Sequence, residues 1–135
     1  ADSKFLNCGS ASIDKRRDSP NESKVYNLVG EVKGKRAILI DDIIDTAGTL
    51  CNAAQAVKDQ GAKQVFAAAT HGVLSGPAVD RLNASALERV WVTNTINQDE
   101  RSAQCDCLEV LSVGALIGEA VKRIHHGDSI SSLFG

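Results

Sequence analysis

Features of membrane, secreted or nucleic-acid-binding proteins are scarce in this chain of 135 residues. Its apolar runs are far shorter than the roughly 20 residues that a membrane-spanning helix needs. The N-terminus is polar and has no apolar stretch typical of a signal peptide. A formal net charge of -2 provides no general attraction for nucleic acid. These absences favour a cytoplasmic protein with neither a membrane nor a nucleic-acid partner.

Cysteine is also sparse, and its spacing excludes common cysteine motifs. Cys8, Cys51, Cys105 and Cys107 show no C-x-x-C pattern. The sequence Cys105-Asp106-Cys107 has no nearby histidine that would complete a metal site. A disulfide framework is unusual in a chain of this composition. We therefore expect free thiols.

What the chain does have is an ordinary globular composition, with 43% hydrophobic and 24% charged residues, and a length that suits one domain. Strand-like and helix-like segments alternate along it. The polar stretch Asp14–Ser23, which contains Pro20, is predicted to be a loop. This alternation predicts an α/β fold, a mostly parallel twisted sheet with helices on both faces. Predicted strands are Ser10–Asp14, Lys24–Val32, Arg36–Ile40, Gln64–Ala69, Glu88–Val92 and Leu108–Leu111, and predicted helices are Thr49–Gln60, Ser75–Leu82 and Ala115–Ile124.

The segment Ile38–Leu50 carries the clearest chemical pattern. An apolar run ends in two adjacent carboxylates, Asp41 and Asp42, and the small-residue turn Thr46–Thr49 leads into a helix. Backbone amides in such a turn, with the positive end of the helix, bind phosphate. Carboxylates beside a phosphate are favourable only if the ligand also has hydroxyls or a bound Mg²⁺. The pattern therefore predicts a site for a phosphorylated sugar.

Other phosphate motifs fit this segment less well. A Walker loop would need Lys after Gly48, and a dinucleotide fingerprint would need three spaced glycines. A simple strand end, with Asp45 or Thr49 capping the next helix, accounts for one or two of the residues. It leaves the acidic pair and the rest of the turn unexplained.

The segment resembles the phosphoribosyl diphosphate (PRPP) binding motif of the type I phosphoribosyltransferase fold. Three flanking segments are similar in order and spacing to the ribose-phosphate pyrophosphokinase (PRPP synthetase) family: Ile13–Arg17, Thr70–Ala78 and Ser129–Phe134. The resemblance covers nearly the whole chain and implies that residues 1–135 form the C-terminal domain of such an enzyme. That domain would lack its first strand and an acidic loop, and the whole N-terminal domain would be missing. An open sheet edge would result, which would either be compensated by oligomerisation or leave a compromised core, and we expect a homo-oligomer.

The resemblance also implies a reaction: pyrophosphate passes from ATP to ribose 5-phosphate, giving PRPP and AMP. Asp41 and Asp42 would bind the ribose hydroxyls or Mg²⁺. Lys15 and Arg17 match catalytic positions on a flexible basic loop of the family. The 5-phosphate would be bound by Asp45, Thr46, Ala47, Gly48 and Thr49, and a regulatory phosphate or ADP site between subunits would include Ser129, Ser131 and Phe134.

Two other functions stay open. A PRPP-consuming phosphoribosyltransferase would need a hood that binds a base, and no extra segment here provides one. The second alternative is a non-catalytic regulatory module of the synthetase, although the intact Lys15-Arg16-Arg17 triplet argues against it.

His71 would either contact substrate or make a structural hydrogen bond, whereas His125 and His126 only end the last helix. Because the missing segments supply ATP and metal contacts in the family, we expect the isolated chain to be inactive.

Overall fold

The first described element is a small antiparallel sheet. The computed structural model describes residues 9–10, 12–16 and 25–134. Strand β1 (Ser12–Arg16) pairs with β2 (Val25–Val29), as predicted for two strands joined across the polar stretch. Strand β1 extends further than predicted, because Lys15 pairs with Tyr26 and Arg16 with Val25 in the backbone ladder. The first two residues of the basic triplet therefore belong to a strand, which corrects the predicted loop that begins at Asp14.

In the part of the chain that the structure describes, the main sheet has four parallel strands in the order β3-β4-β5-β6. They are β3 (Arg36–Ile44), β4 (Gln64–Gly72), β5 (Leu87–Thr93) and β6 (Leu108–Leu111). Strands β3 and β4 both run beyond their predicted ends. The aspartates interrupt the apolar pattern of β3, but its ladder with β4 continues to the pair Ile44 and Gly72. Parallel strands with intervening helices confirm the α/β class.

The described ranges contain four helices, which follow the strands: α1 (Gly48–Asp59), α2 (Ala78–Asn83), α3 (Asp99–Ser102) and α4 (Gly114–His126). A 3₁₀ turn occupies Ser131–Leu133. Helix α1 starts and ends one residue before its predicted bounds, and it contacts β3, β4 and α2. Helix α3 was not predicted, because its four residues are all polar and carry no apolar periodicity.

One face of the sheet is buried in the hydrophobic core beneath helices. Alternate residues of the strands point to this face, including Val65, Ala67 and Val90, none of which is exposed to solvent. Ala54 and Val57 of α1 and Leu82 of α2 are buried in the same core. Short connections between strand and helix bring these helices back over the sheet, which explains why they cover this face.

Apolar residues on the opposite face of the sheet are exposed, although helices were predicted to cover both faces. Ile38 and Ile40 of β3 are 54% and 63% exposed, and Leu111 of β6 is 48% exposed. Helix α4 contains no buried residue, although its apolar side chains recur with helical spacing. Amphipathic periodicity predicts a helix but does not specify the surface that the helix covers, so this face is open in the described part of the chain.

None of the helices in the described ranges combines the length and the apolar character needed to cross a bilayer.

Candidate functional site

The candidate site lies where β3 passes into α1. The strand ends at Ile44 and the helix begins at Gly48, so Asp45–Ala47 must reverse the chain. Ala47 adopts a left-handed conformation with φ of 59°, and its carbonyl oxygen accepts a hydrogen bond from the Cys51 amide at 2.9 Å. No side chain caps this helix. The first amides of α1 therefore lack a capping side-chain partner and are available to an anion.

Two exposed carboxylates precede this turn. Asp41 and Asp42 lie near the end of β3, and Asp41 Oδ1 accepts a hydrogen bond from the Asp42 amide at 2.9 Å. No basic side chain among the described residues forms an ion pair with either of them. Their charge is therefore uncompensated within the described residues, which favours hydroxyl or cation ligands.

A second loop packs against the turn. The amides of Val73 and Leu74 donate to the Ile44 carbonyl oxygen at 2.9 and 3.1 Å, and the Ser75 amide donates to the Asp45 carbonyl oxygen at 3.1 Å. The Ser75 hydroxyl also donates to Asp45 Oδ1. One oxygen of the Asp45 carboxylate therefore holds two loops together, a role that the sequence did not predict.

Arg81 of α2 is the residue of this region that the sequence did not reveal. Its Nη1 donates to the Thr46 carbonyl oxygen at 2.9 Å. It also lies 3.1 Å from the position that a Cβ on Gly48 would occupy. Only the packing of α2 beside α1 brings Arg81 to the turn, and no local pattern in the sequence marks this contact.

The remaining residues of the turn are placed where they were predicted, at the start of α1. Thr46 and Thr49 are exposed, Gly48 is half-buried and Ala47 is buried. Their roles in phosphate binding stay predictions.

His71 makes the structural hydrogen bond that was one of its two predicted roles. Its Nδ1 lies 2.9 Å from Thr95 Oγ1, at the carboxyl ends of β4 and β5. The Thr93 hydroxyl donates to the Thr70 carbonyl oxygen at 2.7 Å in the same cluster. A substrate contact by His71 stays a prediction.

The other predicted site residues lie apart from the turn in the sequence. Lys15 occupies β1, and Arg17 lies outside the described residues. Near the C-terminus, Arg123 Nη1 donates to the Ser129 carbonyl oxygen at 3.2 Å, and the Ser131 amide donates to Ser129 Oγ at 3.2 Å. Phe134 is 72% exposed. The tail therefore folds back on α4, and its regulatory role stays a prediction.

Among the described residues, no group of three or more His, Cys, Asp and Glu side chains is arranged to hold a metal. Mg²⁺ is often bound by one or two carboxylates together with substrate phosphates, and it keeps several waters. The exposed Asp41 and Asp42 carboxylates fit that kind of binding, because they supply hard oxygen ligands without closing a site.

Three cysteines are free thiols, as predicted: Cys51, Cys105 and Cys107, whereas Cys8 lies outside the described residues. The Cys105 and Cys107 sulfurs are 3.6 Å apart. Burial, together with the neighbouring Cys105 thiol, raises the pKa of Cys107 to about 12. Burial also raises the pKa of Cys51. These raised values keep both thiols protonated at neutral pH and favour a packing role.

An α/β sheet with an acidic pair and an uncapped helix start defines a candidate phosphate-binding protein. A family model, the phosphoribosyl synthetase-associated domain, matches residues 10–135, and the chain belongs to this family. The ribose-phosphate pyrophosphokinase of Burkholderia pseudomallei is 53% identical over 131 residues, 97% of this chain and 41% of that protein. Its counterpart in Aquifex aeolicus is 53% identical over 129 residues, 96% of this chain and 41% of that protein.

The fold has a counterpart among solved structures. The phosphoribosylpyrophosphate synthetase from Mycobacterium smegmatis matches with a TM-score of 0.82 and 38% identity, over 93% of this chain and 40% of that one. These similarities confirm the predicted resemblance to PRPP synthetases. The chain spans about two-fifths of the length of the curated relatives described above.

Proposed function

We propose that this chain is the ribose 5-phosphate-binding part of a ribose-phosphate diphosphokinase, which transfers pyrophosphate from ATP to ribose 5-phosphate and yields PRPP and AMP. The observation that carries the proposal is the exposed acidic pair followed by the uncapped turn at the start of α1. High identity to ribose-phosphate pyrophosphokinases across nearly the whole chain supports it.

In this proposal residues 1–135 correspond to the C-terminal, phosphoribosyltransferase type I-like domain of the enzyme. The chain spans two-fifths of the relatives' length, as expected of one domain of a longer enzyme. ATP contacts would then come largely from outside this chain. The isolated chain is accordingly inactive in this proposal and works within a cytoplasmic homo-oligomer.

The turn supplies the phosphate subsite. Amides of Ala47, Gly48 and Thr49 bind the 5-phosphate at the positive end of α1. The exposed Thr46 and Thr49 hydroxyls add hydrogen bonds. The left-handed backbone at Ala47 sets the direction of these amides before any ligand arrives.

The acidic pair supplies the sugar subsite. Asp41 and Asp42 accept hydrogen bonds from the ribose hydroxyls, or bind Mg²⁺ that is attached to them. When bound, Mg²⁺ would neutralise charge on the transferred polyphosphate. The chain's own part is to orient the anomeric hydroxyl, because positioning and electrostatic stabilisation dominate such transfers.

Lys15 and Arg17 provide positive charge for the transferred group. Alanine at either position in a complete enzyme should lower kcat more than it weakens ribose 5-phosphate binding. A loss of sugar-phosphate affinity alone would contradict a role in the transition state.

In this proposal a regulatory phosphate or ADP site includes Ser129, Ser131 and Phe134. Activation by phosphate that survives substitution of these residues would contradict that assignment.

Calorimetric titration with ribose 5-phosphate and Mg²⁺ tests the site. We expect this chain to bind and an Asp41→Asn/Asp42→Asn variant to lose binding. The single variants separate the contributions of the two carboxylates. Equal affinity in the parent and the double variant would contradict the sugar subsite. Circular dichroism melts of the same samples establish that each protein is folded.

A non-catalytic module that regulates a complete synthetase is the second candidate, favoured by the synthetase-associated description of the family model. Addition of this chain to an active pyrophosphokinase distinguishes the two. A change in that enzyme's AMP production, without sugar-phosphate binding by this chain, would favour the regulatory module.

A further inference from the structure

Arg81 connects two parts of the chain that are distant in sequence. Its Nη1 donates to the Thr46 carbonyl oxygen at 2.9 Å, across 35 residues. Its own carbonyl oxygen accepts a hydrogen bond from Cys51 Sγ at 3.5 Å. The side chain of Arg81 thus contacts the β3–α1 connection, and its main chain contacts the first turn of α1. Helix α2 is thereby anchored to the candidate phosphate turn.

Arg81 also limits the space for a side chain at residue 48. The left-handed residue of the turn is Ala47, and Gly48 is not among the residues with positive φ. Backbone angles therefore do not require glycine at position 48. A Cβ there would lie 3.1 Å from Arg81 Nη1 and 3.6 Å from Arg81 Cζ. The first of these contacts is closer than ordinary van der Waals contact, so the guanidinium occupies the space that a side chain would need.

The hydrogen bond to Thr46 fixes the orientation of one peptide group. None of the described peptide bonds is cis, so the Thr46–Ala47 peptide is trans. Across a trans peptide the carbonyl and the following N–H point in opposite directions. With the Thr46 carbonyl held by Arg81, the Ala47 N–H must point away from Arg81. That N–H directly precedes the uncapped amides at the start of α1 in the chain.

We propose that Arg81 is a positioning residue for phosphate binding: its guanidinium orients the Thr46–Ala47 peptide so that the Ala47 amide donates to a phosphomonoester. The inference rests on the proposed function of the turn and adds the residue that shapes it. The guanidinium acts through the peptide, and its positive charge adds a weaker, salt-sensitive attraction for the ligand.

A double-mutant cycle with Gly48 tests this role. Because Arg81 is long and flexible, the methyl group of Gly48→Ala should displace the guanidinium from Thr46. Gly48→Ala and Arg81→Ala should therefore have the same effect, a loss of ribose 5-phosphate affinity of about tenfold, since one charged hydrogen bond is disrupted in both. The double variant should be no worse than either single variant. Independent roles would instead multiply the two losses.

Arg81→Lys separates geometry from charge. Lysine keeps the positive charge but lacks the planar guanidinium. It should recover the salt-sensitive part of the affinity and leave most of the loss. Arg101→Ala is the matched control, since Arg101 Nη1 also donates to a backbone carbonyl, that of Asn97, at 3.3 Å. We expect ribose 5-phosphate affinity in this control to equal that of the parent.

Calorimetry with ribose 5-phosphate provides the main readout, and melts of all variants report folding. Affinity of Arg81→Ala within twofold of the parent would overturn the inference and leave the proposed function intact. Multiplicative losses in the double variant would also overturn it. Absence of binding by the folded parent chain would instead overturn the proposed function and this inference with it. If Arg81→Ala does not fold, the ribose 5-phosphate affinities of Arg81→Lys and Gly48→Ala, alone and combined, test the inference in the same way.

Discussion

The two faces of the four-stranded sheet are both apolar, yet they differ in burial. On the closed face, Val65 and Val90 are fully buried beneath α1 and α2. On the open face, Ile38 and Ile40 are more than half exposed. Phe66 and Trp91 pack together on that face with ring centroids 5.8 Å apart. The comparison teaches that apolar character alone does not produce a core. Only a covering element converts such a surface into stability.

Truncation of one leucine on each face of β6 should give the largest contrast. Leu108, on the closed face, is 8% exposed, and Leu111 is 48% exposed. Leu108→Ala should lower the free energy of unfolding by about 3 kcal/mol, because it leaves a cavity. Leu111→Ala should lower it by less than about 1 kcal/mol, since half of that side chain already contacts solvent. Urea denaturation measures both, and equal losses would contradict the difference between the faces.

Two glycine-to-alanine substitutions should change the free energy of unfolding by smaller amounts and in opposite directions. A Cβ on Gly72 would lie 3.1 Å from the buried Val92 Cγ1, whereas one on Gly118 of α4 would meet nothing within 4 Å. Gly72→Ala should therefore destabilise the protein by about 1–3 kcal/mol through overpacking. Gly118→Ala should stabilise it by up to about 1 kcal/mol, through helix propensity. Thermal melts of the two variants provide the test, and destabilisation by Gly118→Ala would show that α4 is closely packed.

Lysine on the open face should change stability still less. Ile38→Lys and Ile40→Lys should each shift the free energy of unfolding by less than about 0.5 kcal/mol, as for other exposed positions. Binding of a hydrophobic dye should fall, because the exposed apolar surface shrinks. Val65→Lys, on the closed face, is the control and should abolish folding. A cooperative loss of structure in Ile40→Lys would mean that this face is covered in solution.

The smallest effect is expected at α4. The Arg123 guanidinium, 2.9 Å from Glu119 Oε1, lowers the pKa of Glu119, and Lys122 contributes. The carboxylate therefore adds stability above the ordinary glutamate pKa, and that contribution is lost as pH falls through the lowered pKa. Because the same arginine contacts Ser129, acid should loosen the tail. A lower protection factor for amide exchange of Ser131 at low pH, absent from Glu119→Gln, would support this; a protection factor that does not change with pH would contradict it.

The sequence predicted most of the fold where periodicity is strong. Helix α1 and the existence of every main strand were predicted, because apolar residues repeat with the period of each element. The end of β3 was misplaced, since Asp41 and Asp42 interrupt the apolar run while backbone pairing continues to Ile44. Helix α4 was predicted as a helix, but its exposure was not. Periodicity contains no information about which partner surface is present.

The candidate site was predicted less completely than the fold. Contiguous residues identified the turn, because strand, acidic pair and helix start adjoin in sequence. Arg81 and the link between Ser75 and Asp45 were missed, since tertiary packing alone brings them to the turn. Residues recruited from other elements have no local pattern, so a structure is needed to find them.

The position of the acidic pair has a consequence for solubility. In the described part of the chain, β3 is an edge strand, and it contains six apolar residues within Ala37–Ile44. Exposed apolar edge strands are templates for aggregation, and charged residues within them act as gatekeepers. Asp41 and Asp42 therefore oppose aggregation through β3, the same strand from which they would bind the ligand. Selection for ligand binding and selection against fibre formation would act on the same two carboxylates.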